Sequence, residues 1–287
     1  MLNLLKKVVG VTNFKKLRLF GYRFKFFLSK TLNETEFEEF LRSKIKIASG
    51  DTLFIHSSVD KLNISFSKGK ILDILLKIVG KDGTLLFPAW HFNYRAEEYL
   101  QDKSNEFNVL KSFSVMGLLT EIARRHPKAK RSLHPTNSVV AIGKHAEELV
   151  SEHHLSVYPN GDKSPFYRLL DYHGKVVGIG EQAMHSLSFV HCIEDVYKSK
   201  FPIQTRTDEV FEGRVKDFQG NEMIVLTKAA HKNITKRNVQ KYLKANFNSQ
   251  EITCFSKGGS DFFVLQTARF YSKMENLTKQ GITIYDM

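Results

Sequence analysis

From residue 33 onward, apolar and polar positions switch repeatedly between a helical and a strand period. Asn33 followed by Glu36 forms a capping-box pattern, and the spacing Phe37, Phe40, Leu41, Ile45 predicts a helix ending near 48–50. TLFIH then predicts a strand that ends at His56 and opens into Ser57 and Ser58. The positions Ile71, Leu72, Ile74, Leu75 and Ile78 follow a helical period, and Asp82-Gly83 turns the chain into a second strand, TLLFP. A strand–helix–strand unit of this length predicts a crossover into a parallel sheet, whose carboxyl-end loops commonly hold ligands. His56 and the segment from Pro88 to Tyr94 fall in those loops.

Residues 93–113 are polar and aperiodic and are expected to be a long insertion. Ser114 is expected to cap a helix from Val115 to Arg125. In the stretch from Arg131 to Gly143, Pro135 biases His134 towards an extended backbone and Thr136, Asn137 and Ser138 can bond locally. VVAI then predicts a short buried strand closed by Gly143. A helix over 144–153 follows, and then a loop, YPNGDKSP, in which Ser164 caps a helix begun by Pro165. GKVVGIG predicts another buried strand, and 186–198 a helix with His191 and Glu194 three residues apart on one face. Beyond Phe201 the character changes. RVKDF and EMIVL flank Gln219-Gly220 as a hairpin, followed by a helix over 235–247, a strand near Ile252 and a terminal helix.

With 287 residues and 42% hydrophobic content, the chain can bury one large core or two modest ones. Its formal net charge of +13 favours anionic partners: nucleic acid, an anionic membrane surface, or phosphate-bearing ligands. Residues 1–30 hold eight Lys or Arg and no acid beside Phe14, Leu17, Phe20, Phe24, Phe26 and Phe27. Such an arm is suited to peripheral contact with anionic lipid, or to packing on its own domain or a homodimer mate. Cys192 and Cys254 form no CxxC, which argues against a disulfide framework or zinc knuckle and for a reducing, cytoplasmic setting. No apolar run of about 18 residues occurs, and lysines interrupt the start, so neither a membrane span nor a secretory leader is expected.

His56, His134, His154, His191 and Glu194 all fall near strand ends or on flanking helices, which suits proton transfer by an imidazole with a carboxylate partner. HCIE and EHH can supply zinc ligands, but neither has the HExxH spacing that places two histidines across one helical turn. The absence of GxSxG after a strand argues against Ser57 or Ser58 as a hydrolase nucleophile. The absence of GxxxxGK and GxGxxG argues against kinase and dehydrogenase chemistry.

GDTLFIHSSV, GTLLFPAW, SVMGLLTEIARRHPKAKRSLHPTNSVVAIG, SPFYRLL, KVVGIG and SLSFVHCIED occur in an order that resembles the aminoglycoside 3-N-acetyltransferase family over about residues 33–200. The resemblance implies an α/β class fold, an α/β/α sandwich with a C-terminal α+β portion, and acyl transfer from acyl-CoA (acetyl-CoA or 3-hydroxybutyryl-CoA) to an amine. No metal and no covalent enzyme intermediate are implied. By position, His154 resembles the family's catalytic histidine and Glu194 its acidic partner, with His134 and His191 as further candidates. His56, Ser57, Ser58, Arg131, Ser132, Ser164 and Pro165 are the matching candidates for the coenzyme A groove. The division expected is a basic amphipathic arm at 1–31, an acyl-CoA-binding catalytic core at 32–200, and an α+β portion at 201–287 that completes the acceptor site. An aminoglycoside is a polycation and this chain is strongly basic. The acceptor expected is therefore an anionic one, a nucleotide-linked amino sugar of surface-polysaccharide synthesis, with aminoglycoside 3-N-acetylation as the alternative and a basic nucleic-acid- or membrane-binding module as the competing class; no nucleic acid is expected as partner of the enzyme.

Overall fold

The computed structural model describes residues 21–22 and 25–285. Most of the basic arm, and with it the expected membrane or dimer contact, lies outside the described residues. Among those described, no helix is long and apolar enough to cross a membrane.

Helix α1 (Glu34–Ser43) begins with the expected capping box: the Asn33 side chain accepts from the Glu36 amide and the Glu36 side chain accepts from the Asn33 amide. β1 (Thr52–Ser57), α2 (Lys70–Val79) and β2 (Thr84–Pro88) follow, with β1 and β2 parallel. β4 (Lys130–Arg131), β5 (Val139–Gly143) and β6 (Lys175–Ile179) join them, as do β9 (Ile252–Lys257) and β10 (Ser260–Gln266), in a seven-stranded sheet ordered β4-β5-β2-β1-β6-β10-β9. Its centre, β2-β1-β6, is parallel, and both flanks are antiparallel.

Strand alternation sends consecutive side chains into two separate cores. Leu53 and Ile55 of β1, Phe87 of β2, Val177 of β6 and Phe262 of β10 face α1, α2 and α4 (Leu118–Arg124). Phe54, Leu86, Val176 and Phe263 face the opposite layer. That layer is built by α5 (Ala146–Ser151), α8 (Cys192–Tyr197), α9 (Val239–Asn246) and α10 (Thr267–Lys279). Helices on both faces of one sheet make the α/β/α sandwich. Because the central strands are buried on both sides, they read as continuous apolar runs. At β6 the Phe263 ring of β10 lies directly over Gly178, where an added Cβ would come within 2.1 Å of it.

Several local expectations need correction. The stretch 93–113 is not structureless: it holds α3 (Ala96–Gln101) and β3 (Glu106–Asn108). β3 pairs with β7 (Phe211–Lys216), which forms the expected hairpin with β8 (Glu222–Thr227), so the insertion and the hairpin share a second, three-stranded sheet. α4 starts at Leu118 rather than Val115, because Gly117 at φ 105 breaks the helical path before it. Ser114 therefore caps no helix; its hydroxyl accepts from the Met116 amide. The helix expected over 186–198 is broken into α7 (Ala183–Ser186), a 3-10 turn over Ser188–His191, and α8.

Candidate active site

The parallel strands β2, β1 and β6 end on the same edge of the sheet, and the candidate residues gather in the loops beyond it. His134 is fully buried. Its Nδ1 accepts from the amides of Thr136 (3.3 Å) and Asn137 (3.2 Å), which places the ring proton on Nε2, 3.3 Å from Thr227 Oγ1. The ring stacks on His153 at 4.5 Å between centroids. His153, also fully buried, faces the Pro159 carbonyl with Nε2 (2.8 Å). A carbonyl only accepts, so Nε2 carries the proton and Nδ1 accepts from Ser132 Oγ–H at 2.9 Å. The Ser132 oxygen in turn accepts from the Val139 amide. Burial holds both imidazoles neutral, pushing His153 down to about 3 and His134 well below its ordinary value. With both nitrogens of each ring committed inside the protein, neither ring is free to take a proton from a substrate.

His154 is half-buried, and desolvation lowers its pKa. Its Nδ1 is enclosed with no hydrogen-bond partner among the described residues. The carboxylate partner goes instead to His191, whose Nδ1 lies 2.8 Å from Glu194 Oε1 across the turn into α8. Tyr285 Oη–H donates to the same oxygen at 3.0 Å, and Glu194 is 1% exposed. Nδ1–H donates to the carboxylate, so the Nε2 lone pair of the partly exposed His191 is the one available for proton transfer.

Asp195, the next residue, is completely buried and forms two parallel bonds with Arg206, Nε to Oδ1 and Nη2 to Oδ2, both 2.7 Å. Asp195 Oδ2 also accepts the Asn160 amide at 2.7 Å, and Asn160 Oδ1 accepts from Asn137 Nδ2 at 3.3 Å.

The residues matched to a coenzyme A groove divide. His56, at the end of β1, is buried, pushed down to about 4 by desolvation, and lies 3.3 Å from Ser188 Oγ through Nε2. Ser57 is half-exposed at the strand end. The Ser58 hydroxyl donates to Glu181 Oε1, which also receives Lys61 Nζ at 2.6 Å. Ser164 caps the short helix α6 (Pro165–Arg168) by accepting from the Tyr167 amide, and both Ser164 and Pro165 are buried. The Arg131 guanidinium faces inward onto the carbonyls of Ala89, Val109 and Ser112 and onto Ser138 Oγ, with the Phe107 ring against it at 4.6 Å. Among the described residues, no cluster of three or more His, Cys, Asp or Glu is placed to hold a metal ion.

Sequence reasoning did not single out Glu181, Asp195, Arg206 or Tyr285, and it noted His153 only within EHH as a possible metal ligand. Asp195 carried a signal, an acid beside a candidate acid in an otherwise apolar helix. Arg206 and Tyr285 carried none, because their partners lie 11 and 91 residues away.

A family model described as aminoglycoside 3-N-acetyltransferase matches residues 54–275. The chain is 29% identical over 189 residues to aminoglycoside N(3)-acetyltransferase IX of Micromonospora chalcea, an alignment covering 56% of this chain and 64%, just under two thirds, of that protein. It is 25% identical over 200 residues to aminoglycoside N(3)-acetyltransferase III of Salmonella sp, covering 63% and 70%. Among solved structures, aminoglycoside acetyltransferase AAC(3)-Xa superposes with a TM-score of 0.73 at 19% identity over 90% of this chain and 95% of the other. AAC-IIIb in binary complex with CoASH does so at 0.71 and 20% identity over 90% and 100%. These likenesses overturn the expectation of a nucleotide-linked amino sugar as acceptor, since the relatives are aminoglycoside acetyltransferases. The charge argument behind that expectation rests on a whole-chain sum: residues 1–30 alone supply eight of the thirteen excess positive charges, and at the site Glu181 and Asp195 are paired with Lys61 and Arg206 while Glu194 meets a histidine and a tyrosine hydroxyl. The match over most of the chain, together with the shared fold, establishes that it belongs to the aminoglycoside 3-N-acetyltransferase family.

Proposed function

We propose that the chain transfers the acetyl group of acetyl-CoA to an amine of an aminoglycoside. The observation that carries this reading is the His191–Glu194 pair, an imidazole 15% exposed and oriented by a buried carboxylate, in a fold whose relatives bear that activity. Such a pair suits removal of the amine proton as nitrogen attacks the thioester carbonyl. Nε2 takes the proton while Nδ1–H stays on Glu194, whose charge stabilises the imidazolium; the C–S bond then breaks and the CoA thiolate leaves, to be protonated to the free thiol. Tyr285 Oη–H fixes the carboxylate from the far side.

Ser57, half-exposed where β1 ends, is the candidate donor to the pantetheine arm, with the backbone of Gly117 facing its carbonyl; an added Cβ on Gly117 would meet nothing nearer than that oxygen, at 3.9 Å. A coenzyme A-bound relative of the same fold supports the choice of donor. His154 is the competing base on motif position alone; its lack of a carboxylate partner favours His191.

Thiol release measured with sisomicin, gentamicin and kanamycin, beside UDP- and dTDP-amino sugars, tests the reading. Each acceptor is paired with acetyl-CoA and with 3-hydroxybutyryl-CoA. The expected outcome is acetyl transfer to at least one aminoglycoside. No turnover of any aminoglycoside with either thioester would reject the proposal.

A further inference from the structure

We propose that Arg206 is a positioning residue that, by fixing Asp195, locks the loop between His153 and Ser164 to the helix bearing Glu194 and so holds the His191–Glu194 pair in place for proton transfer. The inference rests on the acetyl-transfer reading above.

Glu194 and Asp195 are consecutive on α8 but turn to different partners. Glu194 meets His191 and Tyr285; Asp195 meets Arg206 and the Asn160 amide. The guanidinium side chain is 10% exposed and that of Asp195 0%. Burial disfavours a lone guanidinium, yet the charge of Asp195 and its hydrogen bonds, joined by the charge of Glu194, more than offset this. Arg206 is therefore the buried cation that fixes the Asp195 carboxylate. From Asp195 the bonding continues through Asn160 to Asn137, and from the Asn137 amide to His134 Nδ1. That chain of bonds fixes the course of the 154–164 loop from a residue beyond position 200.

Removing the guanidinium leaves the Asp195 carboxylate buried without its cation, and the Asn160 amide and the loop it belongs to lose a fixed acceptor.

The test is kcat and KM for Arg206→Gln and Arg206→Lys, alongside thermal melting and acetyl-CoA binding. Arg206→Gln should lower kcat by roughly tenfold or more while acetyl-CoA still binds. Arg206→Lys keeps the charge but not the two parallel bonds, so kcat should fall there as well with the fold retained. A melted Arg206→Gln leaves the lysine variant to decide: unchanged kcat there overturns the proposal. So does a folded, acetyl-CoA-binding Arg206→Gln with the wild-type kcat. A wild-type protein that acetylates no amine would instead reject the function itself, and this inference with it.

Discussion

Two buried histidines, His56 and His153, should make the protein's stability fall steeply in mild acid. His56 and His153 are held neutral by burial, with pKa values pushed down to about 4 and about 3. In the unfolded chain each titrates near 6.5. Above that pH neither state binds the proton and the two groups contribute nothing to the pH dependence. Below it the unfolded chain takes up protons that the folded chain refuses, so stability falls with pH, and the fall continues until the folded values are reached. At pH 5 the deficit is about 1.5 units for each ring, or roughly 2 kcal/mol each and about 4 kcal/mol together. His134, stacked on His153 and also depressed, adds to this in the same direction. A typical domain has only about 5–15 kcal/mol to lose. At roughly 2–4 °C per kcal/mol for a chain of this size, Tm should fall by about 8–16 °C between pH 7.5 and pH 5, a window in which most carboxylates remain ionised. Differential scanning fluorimetry across that range measures the drop, and His153→Gln isolates one contribution. The variant starts less stable, because Ser132 and the Pro159 carbonyl lose a shaped partner, but its slope should be shallower by about 2 kcal/mol at pH 5. A wild-type Tm flat to within about 2 °C, or a variant slope equal to the wild type's, would refute the reasoning.

His191→Ala should lower kcat by about 10² to 10⁴ with little change in acetyl-CoA affinity by calorimetry, and Glu194→Gln should lower the same parameter by less. Equal kcat in His191→Ala and wild type would remove His191 as the base. Arg131→Met should cost about 3–5 kcal/mol in urea unfolding, because the buried carbonyls of Ala89, Val109 and Ser112 and the Ser138 hydroxyl lose their shared donor. A loss below about 1 kcal/mol would show that the loops do not depend on it.

The sheet centre was legible because burial on both faces leaves continuous apolar runs bounded by turn residues: TLFIH, TLLFP, VVAI and GKVVGIG all form strands. β10 was missed although its signal was present. Gly258 and Gly259, at φ 60 and 77, make the tight turn between ITCFSK and SDFFVLQ, a two-glycine hairpin pattern. Its apolar run merges into the helical pattern starting at Thr267, which hid the strand end. At the site, the His191–Glu194 contact follows directly from three-residue spacing. The state of His134 does not, since its Nε2 partner is Thr227, 93 residues on, in the second sheet. Local pattern reveals which residues are polar in an apolar setting; which of them meet is decided by chain reversals that leave no local mark.

Net charge misled for a related reason, and the way it did so bears on recognition of the acceptor. Long-range attraction depends on where charges lie relative to the site, since screening removes most of it beyond about 8–10 Å. Eight basic residues sit in the first thirty positions, and many of the lysines farther along the chain are exposed and paired locally: Lys70 with Glu34, Lys77 with Glu38, Lys130 with Glu147, Lys144 with Asp82. Near the strand ends the balance differs. Glu181 receives Lys61, Asp195 receives Arg206, and Glu194 meets only a histidine and a tyrosine hydroxyl, with Oε2 unpartnered among the described residues. In the acetyl-transfer reading proposed above, that buried carboxylate stabilises the imidazolium formed when His191 takes the amine proton, a local charge that a whole-chain sum of +13 conceals.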